Sequence, residues 1–163
     1  MGKQRGFSLI ELLIVVAIIL IIAAIAIPNL IRARMSANEA SAVGSLRSIN
    51  TAEISYNASY PANGFTSTLS QLGSPVGACT PSTVNGCFID SVLSTGVKSG
   101  YTFTTGLNGT ATVPLNNYSA VANPSTPNQT GVRGFCSFED AVTRYSTSAG
   151  LTNPCPSTLA PLQ

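Results

Sequence analysis

Glu11 is a carboxylate set inside an aliphatic run. Residues Leu12 to Ile27 read LLIVVAIILIIAAIAI, and Phe7, Leu9 and Ile10 extend the run upstream. A carboxylate near the middle of a bilayer costs about 2.5 to 3.5 kcal/mol, so Glu11 must be paired, protonated or held close to the headgroups. The other residues able to do chemistry are Cys79, Cys87, Cys136, Cys155 and the adjacent carboxylates Glu139 and Asp140. The chain has no His, which removes the commonest general base and the commonest metal ligand. No two cysteines stand roughly two to four residues apart, the spacing a zinc site favours. No nucleophile has a recognisable base, no Gly-rich loop follows a strand, and Glu139-Asp140 reads as a hairpin turn. Neither catalysis, a metal nor a cofactor is therefore expected, and the chemistry left is that of contact and cross-linking.

The element that must carry Glu11 is a helix. From Phe7 to Ile31 it would have about 25 residues and span about 37 Å at ~1.5 Å per residue, enough to cross a hydrocarbon core of ~30 Å. Charged residues make up 9% of the 163, against roughly a quarter in an ordinary soluble domain. Beyond the run the sequence is rich in Ser, Thr, Asn and Gly and should face water. A formal charge of +2 is too small and too scattered to grip nucleic acid, and no nucleic-acid site is identifiable. Lys3 and Arg5 before the run balance Arg32 and Arg34 after it, so the positive-inside rule does not orient the span. An even number of cysteines in a loop-rich, Gly- and Pro-rich region places that region outside the cytoplasm.

A secretory signal would have a basic start, an apolar core and small residues such as Ala23 to Ala26 for cleavage. Glu11 and the helical pattern beyond that point argue against it, and a plain anchor leaves Glu11 unexplained. The stretch Gly6-Phe7-Ser8-Leu9-Ile10-Glu11-Leu12-Leu13, with an aliphatic block ending Ala26-Ile27-Pro28-Asn29, resembles the N-terminus of type IV pilins and the related pseudopilins. The short basic leader is similar to that of the type IVa class. The motif is long and specific; the resemblance is close over about the first 60 residues and loose beyond them.

The resemblance implies that a prepilin peptidase removes leader residues 1–6 by cutting between Gly6 and Phe7, then methylates the new amine of Phe7. Loss of Lys3 and Arg5 leaves six of the eight basic side chains against six acidic ones. Glu11 follows Phe7 by one helical turn, and its natural partner is an α-amine. The resemblance implies the Phe7 amine of a neighbouring subunit, which would neutralise both charges in apolar surroundings. It also implies a structural subunit stored in the inner membrane and then polymerised with copies of itself into an extracellular pilus. Such a fibre would serve adhesion, surface motility or DNA uptake, with an inner-membrane assembly platform and an assembly ATPase as further partners. The alternatives are a pseudopilin of a type II secretion system, or a monomeric envelope protein that keeps or loses an ordinary anchor.

The expected architecture is α+β: one long N-terminal helix packed on a small antiparallel sheet of about four strands. Pro28 should kink the helix rather than end it, because residues 33–60 contain no Pro and place Ala42, Leu46, Ile49, Tyr56 and Tyr60 on one face. This divides the helix into a membrane or filament-core part, 7–31, and an amphipathic part, 32–60. Tyr56 and Tyr60 read as core aromatics rather than an electron path. Arg32, Arg34, Glu39, Arg47 and Glu53 read as solvated or in weak surface pairs. Residues 61–99 are expected to form a long connecting loop, the family's αβ-loop. Residues 100–163 should hold the strands at Tyr101–Thr104, Tyr118–Val121, Val132–Phe138 and Ala141–Tyr145, with turns at Asn108-Gly109, Asn123-Pro124 and Glu139-Asp140. Four cysteines allow three connectivities; pairing Cys79 with Cys87 and Cys136 with Cys155 is preferred, since the first closes over an Asn85-Gly86 turn and the second ties a strand to the Pro-rich C-terminus.

Overall fold

The computed structural model describes residues 7–74, 79–108 and 114–162. Its elements run α1 (Leu9–Ser59), α2 (Leu69–Leu72), α3 (Ser91–Ser94), β1 (Val97–Lys98), β2 (Tyr101–Gly106), β3 (Ser119–Pro124), β4 (Gly134–Phe138) and β5 (Arg144–Ser146). The chain divides into two compact units, one ending at Arg34 and one beginning at Met35. In the first unit the helix starts after Ser8 and continues through Pro28. The missing N–H of Pro28 leaves the Ala24 carbonyl, four residues back, without its helical donor.

In the second unit, α1 presents Ala42, Leu46, Ile49, Ala52 and Tyr56, all buried, to the inner face of the sheet. Their spacing of four, three, three and four residues is the stripe a half-buried helix needs. On the opposite face of the helix, hydroxyls turn back to the carbonyl four residues earlier: Ser48 to Gly44, Thr51 to Arg47, Ser55 to Thr51 and Ser59 to Ser55. Pro61 cannot continue the helix, and Gly64 at φ +78° takes the chain away from it.

The sheet is antiparallel throughout, in the order β1-β2-β3-β4-β5. Alternation sends Tyr101 and Phe103 of β2, Ala120 and Ala122 of β3, and Phe135 of β4 towards α1. The alternate residues Val121 and Cys136 sit opposite each other on the outer face. There they pack with Cys155, Phe138, Leu151 and Leu159, so the C-terminal segment forms a second covering layer. Burial on both faces explains why β3 is almost wholly buried. Two side chains of β3 hold that layer: Asn123 accepts the amides of Gly150 and Leu151 and donates to the Leu151 carbonyl, while Ser119 accepts the Cys155 amide.

The α+β architecture is the expected one, with corrections in detail. A fifth strand, β1, is too short to show a period of two in the sequence. Residues 61–99 hold two single-turn helices as well as β1. One of these, α3, starts at Asp90, whose carboxylate accepts the Leu93 amide at 2.8 Å and pairs with Lys98 at 2.9 Å. Asn123-Pro124 is the end of β3 rather than a turn; Asn123 faces Thr102 and Pro124 faces Tyr101. Val132 and Arg133 precede β4, and Ala141 belongs to the turn at φ +56°, so β5 begins only at Arg144. Glu139-Asp140 does form a turn, closed by the Ala141 amide on the Phe138 carbonyl. Gly109 lies outside the described residues.

Candidate assembly surface

The described residues of the first unit form no core of their own. Its large apolar side chains from Phe7 to Ile31 are 47% to 81% exposed, on every side of the helix. A monomeric soluble protein rarely exposes a contiguous apolar patch above about a few hundred Å², so this surface requires lipid or other protein around it. The helix is long and apolar enough to cross a membrane.

At its start, Glu11 Oε2 accepts the backbone amide of Ser8 at 3.0 Å, and the Leu12 amide reaches the Ser8 carbonyl at 3.3 Å. Ser8 is thus the N-cap and Glu11 the third helical residue, one half of a capping box, with negative charge set against the helix's positive end. The S-x-x-E spacing was present in the sequence and is a second reason for a carboxylate at this position. In the full chain the Phe7 nitrogen is a peptide amide and carries no charge. Among the described residues no second donor reaches Glu11. Phe7 is exposed and Pro28 lies within α1; Gly6 and the other residues of the expected leader, 1–6, lie outside the described residues.

The second unit is held as a firm body by contacts that the sequence reading placed in solvent. Glu39 is buried: Oε1 accepts the amides of Val132 and Arg133 at 3.0 and 3.1 Å, and Oε2 meets Arg133 Nε at 2.8 Å. Desolvation pushes this carboxyl up, but the two amides and the guanidinium together outweigh it and hold the group below its ordinary value. Arg133 in turn lies over the rings of Phe135 and Tyr145. Glu53 is fully buried, with Oε2 accepting the Thr66 amide at 2.9 Å and Oε1 the Thr66 hydroxyl at 2.6 Å. Among the described residues no cation faces it, so desolvation dominates its two hydrogen bonds and raises it from 4.5 to about 7. Asn50 accepts the hydroxyls of Tyr118 and Ser137 and donates to the Ala141 carbonyl, joining α1 to the sheet. The rings of Tyr56 and Tyr60 meet at a tilt of 51° with centroids 5.0 Å apart, Tyr56 in the core. Glu39 and Glu53 were detectable as members of the stripe 39-42-46-49-53-56, which an apolar-only count leaves interrupted. Arg32, Arg34 and Arg47 are exposed, as expected.

Cys79 is bonded to Cys87 with Cα atoms 5.8 Å apart, and Cys136 to Cys155 at 5.7 Å. The first closes a loop whose turn pairs Ser82 with Asn85, and the second clamps the outer layer to β4. No cluster of metal-ligating residues occurs among the described residues.

A family model described as the prokaryotic N-terminal methylation motif matches residues 1–27. The chain is 50% identical over 54 residues to the type IV major pilin protein PilA of Myxococcus xanthus, covering 33% of this chain and 24% of that protein. It is 62% identical over 39 residues to the type IV wide pilus major component PilA4 of Thermus thermophilus, covering 24% of this chain and 30% of that one. The matches thus span less than a third of the length of either relative. No solved structure matches the chain.

Proposed function

We propose that this chain is a pilin: a membrane-anchored precursor that is cleaved between Gly6 and Phe7, methylated on Phe7 and polymerised into a type IV pilus at the cell surface. The observation that carries the reading is an apolar helix exposed on all sides and joined to a head whose own core is complete. The head needs no partner to fold, whereas the helix needs surroundings of its own polarity. A bilayer supplies them before assembly and copies of the same helix supply them afterwards. The prepilin motif in residues 1–27 and the two pilin relatives support the same reading. Cleavage creates a cation one residue before the N-cap, where Glu11 Oε1 of a neighbouring copy accepts it and both charges are removed from apolar surroundings. Identical copies added with a constant stagger do not close, so a filament results. The prepilin peptidase, assembly platform and ATPase are the partners this route requires, and Pro28 is the point at which the packed helices bend.

The test is the intact mass of the chain in filaments sheared from cells and imaged from the same fraction. The expected mass is that of residues 7–163 plus one methyl, less four hydrogens for two disulfides. A chain starting after Ala26, or one that never enters the sheared fraction, overturns the reading. Glu11→Ala is expected to insert into the membrane normally and to yield few filaments; normal filament yield removes the role given to Glu11.

A further inference from the structure

The head's charges are nearly all matched within it. Lys98 pairs with Asp90, Arg133 with Glu39, and Arg144 with Asp140. Glu53 is buried on Thr66. Among the described residues of the second unit, this leaves one cation and one anion exposed without an ion pair: Arg47 on the outward face of α1, and Glu139 in the turn between β4 and β5. The turn is fixed in place. Its Ala141 carbonyl accepts Asn50 Nδ2 at 3.3 Å, and its Asp140 holds Arg144 through both carboxylate oxygens. Glu139 therefore projects from a rigid mount level with the stretch of α1 around Asn50. Arg47 stands one turn before Asn50, beside an open hollow of about 380 Å³ bordered by Ser48, Thr51, Ser55 and Phe88. The small side chains there and the bare Gly44, with open space over its Cα, allow another chain to approach.

We propose that Glu139 of one copy pairs with Arg47 of the next, so that the partner on this face is a second copy of the same chain. The inference rests on the filament reading and deepens it. A neighbour displaced by four residues along the second unit's part of α1 brings its Arg47 level with position 51. That is one residue from the Asn50 anchor of the turn. The pair contributes register more than affinity, because other offsets leave both charges unpaired.

The test uses the full chain in cells that assemble it, comparing Glu139→Arg, Arg47→Glu and the double exchange. Each single reversal is expected to lower sheared-filament yield about threefold, in line with a rim ion pair, and the exchange to restore it. In parallel, a chain carrying both Glu139→Cys and Arg47→Cys is expected to give a ladder of cross-linked multimers from its filaments, and each single cysteine no ladder. Filaments from the double-cysteine chain without a ladder, together with reversals that leave yield unchanged or are not rescued by the exchange, overturn the pairing while the filament reading stands. Absence of filaments from the unmodified chain overturns both.

Discussion

Replacing Glu53 by Gln should remove a pH dependence of stability that the head carries between about pH 4.5 and 7. Glu53 is fully buried beside Thr66 with no cation among the described residues in contact, and its carboxyl is raised from 4.5 to about 7. A raised acid folds best when protonated. Its contribution is complete below 4.5, the unfolded value, and is lost as the pH rises through about 7. At ~1.4 kcal/mol per tenfold in proton affinity, the loss is about 3 kcal/mol. The acidic groups held below their ordinary values, Glu39, Asp90 and Asp140, lose stability in the opposite direction and at lower pH. The chain has no His to titrate in the same window. Gln reproduces the protonated acid: its carbonyl accepts the Thr66 amide and its NH₂ donates to the Thr66 hydroxyl. Guanidinium unfolding of the full chain in detergent, followed by circular dichroism from pH 4.5 to 8, should therefore show the wild type weakening with pH and Glu53→Gln staying level. The two should be equally stable at pH 4.5, and Gln about 3 kcal/mol more stable at pH 8. A flat wild-type profile, or the same slope in both proteins, would falsify the assignment of that window to Glu53.

Replacing Cys136 and Cys155 together by Ser should cost about 3 kcal/mol on the chain-entropy model, and the shorter Cys79–Cys87 loop somewhat less, read as shifts in unfolding midpoint. Only the first replacement should also free the C-terminal layer, raising amide exchange at Gly150, Leu151 and Cys155. Gly64→Ala should lower stability by about 2 kcal/mol or more, because φ is +78° and a Cβ would come within 2.2 Å of the Leu115 carbonyl oxygen; a neutral result in the same melt sinks this account. Arg133→Ala should cost about 1 kcal/mol near neutral pH, a modest figure because the guanidinium is 42% exposed. That loss should shrink as the pH falls through the lowered range of Glu39, since a protonated Glu39 no longer needs the cation, and a pH-independent cost would contradict it.

The sequence by itself determined the local features of this protein. An unbroken aliphatic run, an S-x-x-E start and a three-four spacing from Ala42 to Tyr56 each depend on neighbours within a few residues, so helix, cap and buried stripe were all legible. The strands could be placed approximately by their β-prone residues. Their ends could not, because Asn123-Pro124 has turn composition and yet is paired with Thr102 and Tyr101, residues some twenty positions away. The tertiary structure alone decided where the charges went. Helical spacing puts Glu39 and Glu53 on the buried stripe, but it takes loops further along the chain to bring the amides of Val132, Arg133 and Thr66 onto them. Likewise Glu139 and Arg47 are distinguished only by what remains after every other charge in the head has found its partner. Partnering over tens of residues depends on chain closure, which no periodicity along the sequence encodes.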